Sequence, residues 1–516
     1  MAKNKGITEK AIPKSNKLMY DSIVEVLKIR GLCDMNILTE NEINIKSLEK
    51  NFYECGCKLA AEALANYLQT LDRKLMKVRD KALLRHKGHR KTCIKTLMGE
   101  VEYSRAVYQV MDNGNEKKFV YLLDEYLGAE NIGFVSANLV ERIANNICEA
   151  SYAETAKNIS SMTGQSISHQ GVWNVVQKLG SQIEAKENRY IELSKEHNLQ
   201  GDREVPVLFE EADGIFVKQQ KRYRHKGNNT FELKIAIAHE GWKETGPKRF
   251  ELANKTVVCD MASGNEFNKR KEAVLASKYN TDEITMRIFN SDGGGWIKKL
   301  HDYNDEVHFQ LDPFHIQKAI KSSNPGGDYT KQVSCMLREN RIDELFEYLE
   351  AVASSLENEK SEEKVRQLLG YLKENRTGLV PYQKRGLKLP KLPDGLVYKA
   401  MGNGEHNMFL TVAKRMKHRS ACFSPQGGLK LCKLLCHKVS NTLIETIEKL
   451  PNHKIPERLW AESIKPILSA SKAPKKEGKG YEGKHTNLPF TGCAMSNGRK
   501  ELIGWLKGKE CLISYF

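Results

Sequence analysis

Three acidic residues of this 516-residue chain stand where carboxylates could act together. Asp213 lies in EADGIFV, directly before a glycine; Asp292 closes the run EITMRIFNSD and opens onto three glycines; Glu405, in GNGEHN, begins a helix after Gly402-Asn403-Gly404. Taken singly, each reads as an ordinary strand-end or helix-start acid, positions where Asp and Glu are common. Brought together, the three would repel one another, and a fold tolerates that mainly when a cation compensates. Hard oxygen ligands favour Mg²⁺ or Mn²⁺, and two such ions about 4 Å apart can activate a water and stabilise the leaving oxygen of a phosphodiester. The chemistry on offer is metal-dependent phosphodiester cleavage, provided the fold can unite residues so far apart in sequence.

The elements around these acids supply a way to do so. VPVLFEEADGIFV (205–217), TFELKIAIAHE (230–240) and RFELANKTVVCDM (249–261) alternate with period two and predict three successive strands. A helix is expected over 264–278, a buried strand over 283–292, a short helix at GWIKKLHDY, and a strand at EVHFQLD (306–312). PFHIQKAIK (313–321) then predicts a helix with Pro313 suitably at its first position. The order βββαβαβα defines an α/β domain and is that of the ribonuclease H fold. In that sheet the first and fourth strands are neighbours and the closing helix packs across them, which would let Asp213, Asp292 and Glu405 converge. Residues 325–400 turn helical and charged, with heptad-like leucines in ELFEYLEAVASSLE and EKVRQLLGYLKEN, and read as an α-helical insertion before a helix resumes over 402–420. A fold by itself does not fix a function.

Composition narrows the class. Lys+Arg 82 against Asp+Glu 65 give a formal net charge of +17, which raises the odds of a polyanionic partner, although a basic surface serving only solubility fits as well. Hydrophobic residues at 40% and charged residues at 28% exclude both a disordered chain and a membrane protein. No window nears the ~18 consecutive apolar residues of a bilayer span. The start, MAKNKGITEKAIPKSNK, lacks the apolar stretch of a signal peptide, so a soluble, cytoplasmic protein is expected. The 12 cysteines are scattered, and neither Cys55-Gly56-Cys57 nor Cys432-x3-Cys436-His437 has the paired spacing of a zinc site. Cys432 and Cys436 read as one face of an apolar helix and Cys259 as core, all reduced thiols. Gly293-Gly294-Gly295 lacks the Lys-Ser/Thr of a phosphate-binding loop.

Towards the amino terminus the pattern suits DNA. Ile45, Leu48, Phe52, Cys55 and Leu59, then Leu64, Leu68, Leu71 and Leu75, mark a long amphipathic helix over 41–79, the kind that packs or dimerises. KALLRHKGHRKTCIK (81–95) carries no acid and leads into TLMGEVEYSRAVYQV, a hairpin turning at Met98-Gly99-Glu100. It is either a basic ribbon beside DNA or the solvated face of a small sheet. Helices are expected over 136–149, 152–162 and 169–180, with a charged helix over 181–197. TGQSIS joins the second and third, Gly164 permitting the turn and Ser168 capping the next helix, the layout of a helix-turn-helix. On the third helix His169, Gln170, Asn174, Gln177 and Lys178 are expected to face outward, and Gln and Asn suit adenine in the major groove. KQQKRYRHK (218–226), with Lys221, Arg222 and Arg224, is either a DNA grip or an exposed hairpin tip. Arg415 and Lys417, downstream of Glu405, are candidates for the phosphate backbone.

DGIFV, SDGGGW, LDPFHIQKAI and the GxxE helix with RMKHR together resemble the ISLre group of bacterial insertion-sequence transposases, itself distantly similar to Mutator-type transposases. The resemblance covers nearly the whole chain, including the basic hairpin and the helix-turn-helix. It implies a DDE active site in which Asp213, Asp292 and Glu405 hold Mg²⁺ or Mn²⁺, two ions being expected, and cut and rejoin double-stranded DNA. It also implies attention to Asp312 and His315, which match a Cys/Asp-x2-His block. His315 would contact the scissile phosphate or orient a catalytic acid, and a helix histidine satisfied by its neighbours is an equal reading. Relatives often carry a cysteine pair after Tyr108, where this chain has YQVMDNGNEKKF, so no zinc ribbon is expected there. The organisation expected is a helical oligomerisation region (1–79), a basic hairpin (80–130), a helix-turn-helix (131–199), the first part of the catalytic core (200–324), the insertion (325–400), the closing helix (401–440) and a basic carboxy-terminal region (441–516). Partners would be the element's terminal repeats, target DNA and a second copy of the chain. The rivals are a nuclease or resolvase of the same fold that cuts without joining, and a non-enzymatic helix-turn-helix DNA-binding protein.

Overall fold

The computed structural model describes residues 45–111, 118–127, 135–224, 228–298, 307–402, 404–418 and 421–448. They divide into two compact units, one built from Ala65–Thr92 and Glu102–Leu127, the other from residues up to Leu64, Cys93–Val101 and Gly128 onward. Of the expected basic carboxy-terminal region, residues 449–516 lie outside the described residues. Among the described residues no helix is long and apolar enough to cross a membrane.

A long helix, α1 (Ile45–Val78), leads into a hairpin of β1 (Leu84–Thr96) and β2 (Gly99–Val110), followed by β3 (Phe119–Val120) and α2 (Leu122–Leu127). Gly99 has φ +115°, the left-handed region that a non-glycine residue adopts only under strain, and so fixes the tip where the sequence predicts it. Within the smaller unit Leu68, Leu75, Tyr103 and Tyr108 are buried, and Asp72 accepts the Ala106 N–H at 3.0 Å.

The larger unit begins with α3 (Ala137–Ile147), α4 (Tyr152–Met162) and α5 (His169–Lys195), each opened by a serine whose hydroxyl accepts an N–H of the first turn. Ser168 caps α5 as expected, its Oγ 3.1 Å from the Gly171 N. The predicted break near residue 180 is absent, and α5 runs on as one helix. Gly180 serves a crossing instead, since a Cβ there would lie 2.4 Å from the Lys430 Cβ. Gly164 likewise answers to space, a Cβ at that position meeting the Met98 carbonyl oxygen at 2.7 Å.

Among the described residues eight strands follow: β4 (Val207–Lys218), β5 (Thr230–His239), β6 (Trp242–Gly246), β7 (Arg249–Leu252), β8 (Thr256–Asp260), β9 (Met286–Ser291), β10 (Val307–Leu311) and, beyond the insertion, β11 (Leu396–Val397). Five form a mixed sheet in the order β10-β9-β4-β5-β8. β4 is antiparallel to β5 and parallel to β9, β5 is antiparallel to β8, and β10 is parallel to β9. The single strand expected over 249–261 is two strands in different sheets, because Asn254 turns the chain at φ +50°. β7 pairs with the unforeseen β6, and β6 with β11.

Strand alternation gives the sheet two different faces. Leu208, Glu210 and Ala212 point to the side carrying α6 (Gly264–Ala276), where Ala212 joins Ala236, Val258, Phe267 and Phe289 in one cluster. Phe209, Glu211, Asp213, Ile215 and Val217 point to the other side. There Ile215 and Val217 pack with Val412, Met416, Leu431 and Leu435. After the short α7 (Gly295–Lys298) and β10 come α8 (Pro313–Ser323), α9 (Tyr329–Arg338), α10 (Ile342–Ser355) and α11 (Glu359–Glu374). The last two bury Leu345, Leu349, Leu368 and Leu372 in a core shared with Leu311 of β10 and Ile316 and Ile320 of α8. The chain returns to the sheet through α12 (Gly404–Met408), a π-helix (Phe409–Lys417), α13 (Pro425–Val439) and α14 (Leu443–Glu448). The single helix expected over 402–420 is thus a turn of α-helix continuing as π-helix, a form that recurs at functional sites.

Candidate active site

Asp213 and Asp292 reach one another through strand register. Ala212 pairs with Ser291 across the parallel β4–β9 ladder, so the next residue of each strand, Asp213 and Asp292, lies at neighbouring positions where β9 ends. Strand spacing there is about 4.8 Å. Asp213 accepts the Gly214 N–H at 2.7 Å, and Asp292 accepts that of Gly294 at 2.8 Å. Gly293 adopts φ +75° to make the turn.

β10 and α8 deliver the next pair. Asp312 is the N-cap of α8, where Pro313 takes the first helical position as expected; its Oδ1 accepts the Phe314 N–H at 2.8 Å and its Oδ2 the Asn290 amide at 3.1 Å. One turn on, His315 Nε2 stands 3.6 Å from Asp213 Oδ2. The Asp213 carboxylate holds His315 above the usual histidine range against the pull of burial, and Asp312 and Asp292 add to it. Asp292 is itself pushed up, first by burial and then by the charge of Asp213, while the Gly294 N–H and His315 pull it back.

Glu405 lies in α12, the element that covers this part of β4; its side chain lies outside the described residues. The helix start is tightly placed. Gly402 N–H donates to Glu211 Oε1 at 3.3 Å, and a Cβ on Gly404 would stand 3.0 Å from Glu211 Oε2 and 3.6 Å from Asp312 Oδ2. Glu211, buried and on the same strand face as Asp213, belongs to this cluster, and the sequence reading missed it. Its one signal was alternation, since Glu211 and Asp213 are two residues apart on a strand.

The donors gathered here are carboxylate oxygens with a single imidazole at their edge, a set that fits a hard divalent cation. Among the described residues, however, the group whose three ligand atoms all fall within 4.8 Å of one another is Cys259, Cys432 and Cys436, not these carboxylates.

The expected DNA-contacting residues divide. His169, Gln170, Asn174 and Lys178 are exposed on α5, with Gln170 and Asn174 bonded to each other at 3.1 Å. Gln177 does not face outward with them: its Nε2 is buried, close to Gly427 in the first turn of α13. Lys221, Arg222, Arg224 and Lys417 are exposed, and Arg224 also donates its Nε–H to the Gln219 carbonyl at 2.9 Å. Arg415 is half-buried and turns its Nε–H inward to the Ile147 carbonyl at 2.8 Å, where it completes an orphan acceptor at the end of α3.

Fold and site define a mixed α/β protein with a carboxylate cluster at the ends of its central parallel strands. The chain belongs to the Uncharacterised protein family UPF0236, whose sequence profile matches residues 38–449. A UPF0236 protein of Caldanaerobacter subterraneus subsp. tengcongensis, whose name joins eleven locus designations, is 22% identical over 67% of this chain and 70% of its own. A UPF0236 protein of Streptococcus gallolyticus, named for the vanSb 3' region, is 25% identical over 67% of this chain and 74% of its own. A solved structure of a pre-cleavage Mos1 transpososome aligns with 52% of this chain and 82% of that one at 11% identity and a TM-score of 0.09, a likeness too low to carry any argument.

Proposed function

We propose that the chain is a DDE-type DNA transposase of the ISLre kind, with a ribonuclease H-like catalytic domain and a helix-turn-helix in α4 and α5. The observation that carries this reading is the sheet: its strand order and directions are those expected of a ribonuclease H sheet, and Asp213 and Asp292 fall side by side at its centre. A name joining eleven loci of one genome also fits a gene carried by DNA that multiplies within its host.

In this reading Asp213, Asp292 and Glu405 hold Mg²⁺ or Mn²⁺. Bound there, the cations supply Lewis acidity towards the phosphodiester and lower the pKa of water. Burial and the charge of Asp213 raise Asp292 above its ordinary value, and a cation held there would favour its carboxylate form. His315, held towards its cationic form by Asp213, orients that carboxylate and offers a proton donor to a non-bridging phosphate oxygen. The Asp312 cap and the Asn290 amide fix the start of α8, and hence the His315 ring. Hydrolysis at an element end frees a 3′-hydroxyl, and the same residues then direct it at a target phosphodiester. His169, Gln170, Asn174 and Lys178 read the element ends, while Lys221, Arg222 and Lys417 meet backbone phosphates. Joining two ends calls for a dimer or larger assembly.

The test is a plasmid carrying the gene with its native flanking DNA, incubated with the purified full chain and Mg²⁺ or Mn²⁺. Metal-dependent cuts at the element ends, absent in Asp213→Asn and Asp292→Asn, support the site, and joined products make it a transposase. Cuts without joining indicate a nuclease; cuts that persist in both variants sink the assignment of these carboxylates. Sequence-specific binding with no cleavage by the wild type indicates a DNA-binding regulator.

A further inference from the structure

The chemistry so far leaves one buried cluster without a role. Cys259 of β8 and Cys432 and Cys436 of α13 are each buried, and their three Sγ atoms lie within 4.8 Å of one another. The two helix cysteines are four residues apart, hence one above the other on a single face. The strand cysteine comes from far upstream, and for that reason no spacing rule exposed the group.

Thiols pack readily in cores. Two features go beyond packing here. The first is a buried cation: Lys433, its side chain 1% exposed, is held at the cluster, donating to the Cys259 carbonyl at 3.2 Å and pairing with Glu187 at 2.5 Å. Burying an ammonium is costly even with Glu187 beside it, because Glu187 is shared with Arg270 at 3.0 Å, and such a cation can offset the negative charge of a metal–thiolate group. The second is position. Asp213 pairs with Ile235, and Ile235 with Cys259, so the thiols and the candidate carboxylates share one row of one face. Two strand spacings, about 10 Å, separate them.

We propose that Cys259, Cys432 and Cys436 form a closed three-thiolate site for a soft, thiophilic d¹⁰ cation, Zn²⁺ or Cu⁺. His437 is not a fourth ligand through Nδ1, which is taken by the Thr442 and Thr446 hydroxyls at 2.9 and 3.1 Å. Thiolates select soft cations over Mg²⁺ or Mn²⁺, so the two centres would not compete for the same ion. The bound cation ties α13 to the sheet and thereby secures the helices that descend from Glu405. It stands or falls independently of the transposase reading, because nothing in it requires DNA chemistry.

The experiment uses the full chain purified anaerobically without chelator. Elemental analysis by mass spectrometry is expected to find about one zinc or copper per chain, and X-ray absorption at that edge to find sulfur ligands only. Which edge responds separates Zn²⁺ from Cu⁺. After chelation, Cd²⁺ titration should give a thiolate-to-cadmium ultraviolet band that saturates near ~1 equivalent. Cys259→Ser and Cys436→Ser should each lose that band, while Cys148→Ser, which alters a buried cysteine elsewhere, keeps it. Metal-free protein whose chelated form gives no such band overturns the proposal. So does a disulfide within the group, or a sulfur signal that survives in both ligand variants. The wild-type measurements stand even if a variant does not fold.

Discussion

Behind the carboxylate cluster, on the opposite face of β4, Lys271 and Glu210 are buried between the sheet and α6, with Arg287 partly buried beside them and Glu272 half-exposed at the rim. Lys271 Nζ lies 2.5 Å from Glu210 Oε2, their side chains 3% and 2% exposed, and Arg287 reaches Glu210 at 3.3 Å. Glu272 meets Lys271 and Arg287, each at 2.8 Å. Two acids and two bases balance. Lys271→Met removes one base and leaves Glu210 buried with Arg287 alone. Losing one partner of a buried pair costs about 3–5 kcal/mol, and the surviving Arg287 contact puts the expected loss near ~3 kcal/mol. Glu210→Leu combined with Lys271→Met leaves Arg287 and Glu272 paired, and hydrophobic replacement of a whole buried pair is often neutral, so the double variant should fall within ~1 kcal/mol of wild type. Hydrogen exchange of the β4 and α6 peptides reads the opening free energy of this unit in the full chain. A single variant that costs under ~1 kcal/mol, or a double variant as unstable as the single, would refute the reasoning that charge balance, rather than each ion by itself, stabilises this face.

Other consequences are open to direct measurement. Asp213→Asn in metal-free buffer should lower the His315 pKa, because its bond to Asp213 is the main cause of its elevation; an unchanged titration in carbon-13 histidine NMR, assigned with His315→Gln, rules that pairing out. His239 is wholly buried and held down to about 3 by burial, so below its ordinary 6.5 the unfolded chain takes a proton that the folded one refuses. Its contribution to stability is therefore complete above pH 6.5 and should fall by ~1.4 kcal/mol per unit towards pH 3, a slope that His239→Phe, stacked on Phe209, should reduce in acid denaturation. Gly180→Ala drives a Cβ to 2.4 Å from Lys430 Cβ and 2.8 Å from its Cα, contacts that no side-chain rotation relieves, and should cost about 1–3 kcal/mol by thermal melting.

Much of the sheet is legible because its strands alternate strongly; Asp213 falls within such a strand, Asp292 directly follows one, and Asp312 caps a helix that proline marks. The failures have physical reasons. Glu210 and Glu211 are adjacent and chemically alike, yet a strand sends them to opposite faces, one to Lys271 and the other to the start of α12. The sequence cannot tell which acid needs which partner until the sheet's two coverings are known. Residues 249–261 read as one strand because a single left-handed asparagine, Asn254, hides within an otherwise β-rich run. Gln177 and Arg415 sit on helix positions that the local pattern assigns to solvent, but α13 and the end of α3 arrive there from elsewhere in the chain. The thiol triad escaped for the same reason, since two of its members share a helix turn and the third a distant strand.

The insertion is no passive decoration of the sheet. Tyr371, near the end of α11, donates its hydroxyl to the Asp292 carbonyl at 2.9 Å. Asn375, four residues on, donates to the Tyr371 carbonyl at 2.8 Å, and it crowds Gly293 so closely that a Cβ there would lie 2.4 Å from its Oδ1. The loop that carries Asp292 is therefore fixed by the far end of the insertion as well as by β9. Tyr371→Phe deletes one hydroxyl and leaves the ring's packing, a loss of about 1 kcal/mol in stability. If the proposed function holds, its effect on DNA cleavage should be larger than that stability loss implies, because the freed carbonyl belongs to the residue whose carboxylate would act with that of Asp213. Equal cleavage rates for Tyr371→Phe and wild type at saturating Mg²⁺ would mean that β9 alone sets the geometry, and that the insertion serves DNA or a partner surface instead.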